Sequence, residues 1–220
     1  MNSSARNVLF LLFLLIPLFA AADDQQKVYK LLNKVTAMAA DPSGRRSVSL
    51  AMSQCLSVTR PELVQRRQAM NLNYGDLFLA YQLVKTDRKI DDIAAKTKMG
   101  KTVWQAADEE HADWQKIVTE AKKLNSKVDT NLIGHFTNKK AEDERDRVDG
   151  YDPSLDTVAA DRNVSTKEIE NAEQRYTFLR DHSGAVSNAS LDTFTEKATR
   201  RPDPIPGGGA GTSVTAPPKK

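Results

Sequence analysis

Between residues 25 and 136 apolar positions recur three and four apart in one segment after another, and most of these segments follow a residue able to cap a helix. That spacing puts side chains on one face of an α-helix, whereas a half-buried strand would need strict alternation. Val28, Leu31, Leu32, Val35 and Met38 predict a first helix over 25–40. Val48, Ala51, Met52, Cys55 and Leu56 predict a second, opened by Asp41-Pro42 and ending near Ser57. Aspartate is a good cap, and proline suits the first turn because its missing N–H has no partner to lose there. The pair reads as an antiparallel helical hairpin.

Thr59-Arg60-Pro61-Glu62, Thr102-Val103-Trp104-Gln105 and Ser165-Thr166-Lys167-Glu168 have the form of capping boxes. In each, the hydroxyl and the acid or amide side chain answer two backbone donors left free at a helix start. The first opens a short third helix with Leu63, Val64 and Met70, the second a sixth helix, and the third a late helix with Ile169, Ala172, Tyr176 and Leu179 that stops before Gly184. Asn73 caps a fourth helix carrying Tyr74, Leu77, Phe78, Tyr81 and Val84. Gly75 in its first turn weakens helix propensity, which implies that another backbone packs closely there. After a polar turn from Lys85 to Lys89, Asp91 is placed to cap a fifth helix with Ile93 and Ala94, ended by Met99-Gly100. From Trp114, the positions Ile117, Val118, Ala121, Leu124, Val128, Leu132 and Phe136 keep to one side and predict the longest helix. Shifting the chain by 30 sets Leu63 on Ile93, Tyr74 on Trp104 and Leu77 on Ala107, which fits either a duplicated helix–turn–helix unit or two similar hairpins.

The expected fold is therefore all-α: a small multi-helix bundle of short hairpins plus one long helix. Residues 23–137 form the helical core, 138–164 read as a charged linker, 165–199 as an accessory helix region and 200–220 as a disordered Pro/Gly-rich tail. Residues 1–22 read as a signal peptide, with Arg6 before the apolar run Val8 to Phe19 and Ala20-Ala21-Ala22 before Asp23. The apolar run is shorter than the roughly 20 residues that span a bilayer, so no integral membrane span is expected after cleavage. The expected address is periplasmic or secreted.

A formal charge of +3 is too small for a dedicated polyanion binder, and no nucleic-acid partner is expected. The short-helix, glycine-turn, helix order over Ile90 to Asp113 resembles a DNA-binding motif, yet its second helix carries Asp108, Glu109 and Glu110, which phosphates would repel. Arg45, Arg46, Arg60, Arg66 and Arg67 make a basic cluster that reads as a solvated helix face. Cys55, the one cysteine, lies on an apolar stripe and reads as a small core hydrophobe.

Asp108 and His111 stand three apart and are the weak metal candidates, echoing the Glu-x-x-His element of di-iron bundles. Neither His135 nor His182 has a carboxylate three residues before it, so the second copy is missing. An EF-hand loop centred on Gly150 would place Arg145 and Arg147 at ligand positions. No nucleophile elbow or phosphate-binding glycine loop is present, and no cofactor or catalytic residue is indicated. Tyr74, Trp104 and Trp114 are the candidates for a binding surface, although aromatic rings at helix starts more often pack inward.

The segments MNLNYGDLFLAYQL and IDDIAAKTKMGKTVWQAADEEHADWQKI resemble a group of uncharacterised exported helical bacterial proteins. In that group a Tyr-Gly-acidic-aliphatic motif is followed by a Gly-x-x-Trp-x-x-Ala motif. The matching residues here are Tyr74, Gly75, Asp76 and Leu77, then Gly100, Trp104, Gln105, Ala106 and Ala107. Trp104 stands one position further from the glycine than the motif has it, and Gln105 replaces a second glycine. The resemblance implies an envelope or secreted setting and no particular activity.

The expected function is that of a non-enzymatic exported helical interaction module at the bacterial envelope, with a protein or envelope component as partner. The alternative is a small periplasmic hydrolase or metal-binding protein whose site is assembled only in the fold. Amino-terminal sequencing of the exported protein is expected to begin near Asp23; an intact Met1 would count against cleavage.

Overall fold

A computed structural model describes residues 22–84 and 89–183. All but the last residue of the expected signal peptide (1–22), the turn at 85–88, the weak helical stretch expected from Leu191 to Ala198 and the expected tail lie outside the described residues.

The described residues form a multi-helix bundle with no strands. Helix α1 covers residues 22–38, followed by α2 Pro42–Leu56, α3 Arg60–Met70, α4 Tyr74–Leu83, α5 Ile90–Lys98 and α6 Val103–Glu109. The long helix α7 is Trp114–Thr137, and α8 Lys139–Asp149, a short 3-10 helix Ala159–Arg162 and α9 Thr166–Asp181 complete the order. The caps do what their chemistry demands. Asp41 accepts from the N–H groups of Ser43 and Gly44, Asn73 from Asp76, and Thr102 and Ser165 each form the reciprocal box with Gln105 and Glu168. One cap differs from expectation: α5 starts two residues earlier, at Ile90, with Lys89 at the cap position, where its N–H donates to Asp92, while Asp91 turns outward to pair with Arg66.

Among α2 to α9 the most extensive helix contact joins α2 to α7. The apolar stripes meet there and around α4, where Val28, Leu32, Met52, Leu63, Leu77, Phe78, Leu124 and Leu132 are buried in one continuous core. Two glycines permit the closest approaches. A Cβ at Gly75 would lie 2.6 Å from Thr36 Oγ1 and 2.7 Å from the Leu32 carbonyl oxygen, so α4 can start against α1 only without a side chain. The Gly75 N–H donates to Thr36 Oγ1 at 3.1 Å across that contact. At Gly44 a Cβ would fall 2.0 Å from the Met38 carbonyl oxygen, which forces glycine into the first turn of α2 where it packs on the end of α1. Cys55 is only partly buried and packs on the edge of the core.

Residues 138–164 differ from the expected charged linker. Asp146, Asp156 and Asp161 pair with arginines of α2 and α3 and so hold α8 and the chain after it against those helices, while Lys139, Lys140, Glu144, Arg145, Arg147 and Asp152 stay exposed. The basic cluster differs for the same reason, since Arg60 and Arg67 are 2 % and 0 % exposed and do not form a solvated face. Arg60 pairs with Asp146, donates to Ser49 Oγ at 3.1 Å and lies 3.5 Å from the centre of the Tyr151 ring. Arg67 pairs with Asp156 and bonds both oxygens of Asp161, at 2.5 and 2.6 Å, while its guanidinium sits 3.9 Å from the Tyr74 ring centre. Arg46 reaches Asp143 and Asp146 at 2.7 and 2.6 Å. Arg45 closes the α1–α2 turn by donating to the Ala39 carbonyl at 2.9 Å.

Breaking one partner of a buried pair leaves the other charged and dry, at a cost of about 3–5 kcal/mol. Arg67→Ala is expected to lose stability on that scale in urea unfolding, and Arg67→Lys to recover only part of it, because an ammonium cannot serve both aspartates as a planar fork does. A loss below about 1 kcal/mol, the range of an exposed pair, would show that the network is solvated.

Candidate functional site

The sequence candidates separate in the fold. Tyr74 is the first residue of α4 and fully buried, with its hydroxyl donating to Asp156 Oδ2 at 2.6 Å. Burial, and then the charge of Asp156, push its phenol well above the usual tyrosine range, so it is a neutral donor. It belongs to the buried ion network and not to a surface. Trp104 is the second residue of α6 and half-buried, so the two aromatics are not equivalent, although α3 and α5 start 30 residues apart and α4 and α6 start 29 apart.

Asp108 and His111 do not share a helix face. Helix α6 ends at Glu109, and His111 takes a left-handed backbone conformation (φ 50°) in the loop that precedes the Asp113 cap of α7. Asp108 accepts from Gln25 Nε2 at 2.9 Å and so ties α6 to α1. The neighbouring acids serve α5 and its turn: Glu110 pairs with Lys96 and Glu109 with Lys101, both at 2.6 Å. Among the described residues no group of three or more His, Cys, Asp or Glu side chains is arranged to hold a metal ion.

Trp104 and Trp114 do meet. Their rings stack with centroids 6.0 Å apart and planes 9° from parallel, and Tyr29 of α1 stands edge-on to Trp104 at 5.4 Å. Trp104 is the second residue of α6 and Trp114 the first of α7, so the α6–α7 loop folds one ring over the other. The Trp104 indole N–H donates to Asp76 Oδ1 at 2.9 Å, and Asn73 Nδ2 donates to the other oxygen of Asp76 at 2.8 Å. Asp76 therefore fixes the ring while the Asn73 carbonyl caps α4. The three rings form a shelf on the surface, with Tyr29 52 % exposed at its edge. Tyr29 was not legible as a member, because in sequence it is one outward position on an ordinary amphipathic helix.

Beyond Tyr29 the surface dips into a groove between α1 and α9, a cavity of about 560 Å³ lined by Tyr29, Lys30, Asn33, Lys34, Glu168 and Arg175 among others. Asn125 of α7 organises its floor: its Nδ2 donates to the Leu31 carbonyl at 3.1 Å, and its Oδ1 accepts from Arg175 at 3.2 Å. Arg175 is 2 % exposed and pairs with the fully buried Asp129 at 2.5 Å. Asn33 donates to Glu168 at 2.7 Å, joining the two walls.

No family model, curated protein or solved structure matches the chain. The fold class rests on its own helices.

Burial raises the Asp76 carboxyl above its ordinary value of 3.8, against the two hydrogen bonds from Trp104 and Asn73 that favour its charged form. A raised native pKa stabilises the fold most below 3.8, and that contribution is lost as pH rises through the native value. Asp76→Asn, which keeps an acceptor for Trp104, is expected to flatten this part of the Tm–pH curve. Asp76→Ala should cost about 1–2 kcal/mol by leaving the indole N–H unpaired. Identical Tm–pH curves for Asp76→Asn and the parent would exclude Asp76 as the titrating group.

Proposed function

We propose that the protein is a non-enzymatic, exported helical interaction module that acts at the bacterial envelope through contact with a protein or envelope component. The observation that carries this reading is the shelf of Tyr29, Trp104 and Trp114, three aromatic rings in mutual contact at the surface, one of them fixed by Asp76. Aromatic side chains held in place before binding lose little entropy on contact and are the commonest energetic anchors of interfaces. The signal-like residues 1–22 and the likeness to exported proteins supply the setting. A metal-dependent role has less support, since Asp108 is engaged by Gln25 and His111 lies beyond the end of α6.

Both tryptophans of the chain lie in the shelf, so intrinsic emission reports its occupancy directly. Titration of the full exported protein with solubilised envelope is expected to shift that emission. Co-sedimentation with unsolubilised envelope fragments should fall about tenfold in a Trp104→Ala/Trp114→Ala variant of unchanged circular dichroism, the loss of about 1.4 kcal/mol that one anchoring aromatic represents. Equal recovery of parent and variant would falsify the shelf as the contact surface.

A further inference from the structure

The groove beyond the shelf is divided by chemistry. Its first lobe, about 560 Å³, is lined by three cations, Lys30, Lys34 and Arg175, against one carboxylate, Glu168, with Asp129 beneath. A neighbouring cavity of about 540 Å³, the second lobe, shares the lining residues Met38 and Ala172 with the first and lies over Ala37, Pro42, Ile169 and Tyr176. Each lobe falls in the range of roughly 300–1,000 Å³ that small-molecule sites occupy. Along α1 the first lobe runs from Gln26 to Met38, about 18 Å at 1.5 Å per residue.

The cations of the first lobe are short of partners. Among the described residues neither Lys30 nor Lys34 has a carboxylate at ion-pair distance. Arg175 is almost fully buried, and its Nε–H has no hydrogen-bond acceptor although its two terminal nitrogens are engaged by Asn125 and Asp129. Burial, and then the neighbouring Arg175, lower the pKa of the Lys34 ammonium, against the attraction of Asp129. A bound anion would give the accessible ammonium groups of Lys30 and Lys34 a partner and favour the charged form of Lys34. The second lobe could not take a second anionic group, because Asp41 and Glu173 line it among the apolar side chains.

We propose that the α1–α9 groove binds a single-chain amphipathic anion, with its acidic head between Lys30, Lys34 and Arg175 and its apolar chain over Met38 and Ala172 into the second lobe. The site is separate from the Trp104–Trp114 stack and touches the shelf only through Tyr29. It extends the envelope reading by giving the module a ligand as well as a contact surface.

Calorimetric titration of the full exported protein with dodecanoate and with dodecyl phosphate, both below micelle formation, tests the site and distinguishes a carboxylate from a phosphate head. At least one anion is expected to bind one-to-one, about tenfold or more tighter than dodecyl maltoside, which has the chain without the charge. Acetate, which has the charge without the chain, should also bind at least about tenfold more weakly. Lys34→Glu should weaken binding about tenfold or more, and Ala172→Trp, which fills the neck between the lobes, should do the same without changing charge. Lys34→Gln, with a smaller loss, guards against misfolding of the glutamate variant, and Lys122→Glu on the exposed side of α7 should bind like the parent. The inference is overturned by no saturable binding of either anion, by equal binding of the maltoside, or by parent-like affinity in both Lys34 variants. Trp104→Ala/Trp114→Ala should keep anion binding, so loss of envelope contact and loss of the ligand site are told apart.

Discussion

Arg60 and Arg67 stand seven residues apart on α3 and so point to the same side of that helix, where both are removed from water. A guanidinium cannot shed its charge, so each buried arginine must be answered by a carboxylate with matching geometry. Asp146 from α8 answers Arg60, and Asp156 with Asp161 from the following segment answers Arg67. Tyr74 and Tyr151 both donate to Asp156 Oδ2, at 2.6 and 2.7 Å, and complete its solvation. Net stability from such pairs is small once desolvation is counted, but breaking one is costly. Their consequence is selection: only a chain path that delivers these three aspartates can cover α3.

The same network places the start of α4, because Tyr74 belongs to it, and the start of α4 places the shelf. Asn73 caps α4 and braces Asp76, Asp76 holds Trp104, and Trp104 stacks between Tyr29 and Trp114. A chain of hydrogen bonds and ring contacts thus runs from the buried side of α4 to the surface. Helix α1 is the other common element. Its core side meets Gly75 through Leu32 and Thr36, while Tyr29 joins the shelf and Lys30, Asn33 and Lys34 line the groove.

Charge is handled differently in the two halves of the molecule. Around α3 every buried cation is paired with an anion of the chain. In the groove, by contrast, Arg175 is only partly satisfied by Asn125 and Asp129, and the lysines beside it face the cavity. The first arrangement fixes the fold; the second leaves electrostatic capacity that a ligand of opposite sign can use.

The helices other than α8 and the 3-10 turn, most of their caps and their core faces were legible in the chain because they depend on neighbours within four residues: Asp41 on Ser43 and Gly44, Thr102 on Gln105, Ser165 on Glu168, and the stripes of α1 and α7 on the helical period. Gly75 was legible as a close contact, though not its partner on α1. What sequence spacing could not decide was the fate of long-range charge. Residues 138–164 have the composition of a solvated linker, and only the fold brings Asp146, Asp156 and Asp161 to arginines 86 to 94 residues earlier. Likewise, composition cannot tell that Tyr29 reaches the two tryptophans, or that Arg175 of α9 meets Asp129 of α7. Local backbone chemistry sets where each helix starts and which face is apolar, whereas the pairing of buried charges and rings depends on distances that exist only after the helices have packed.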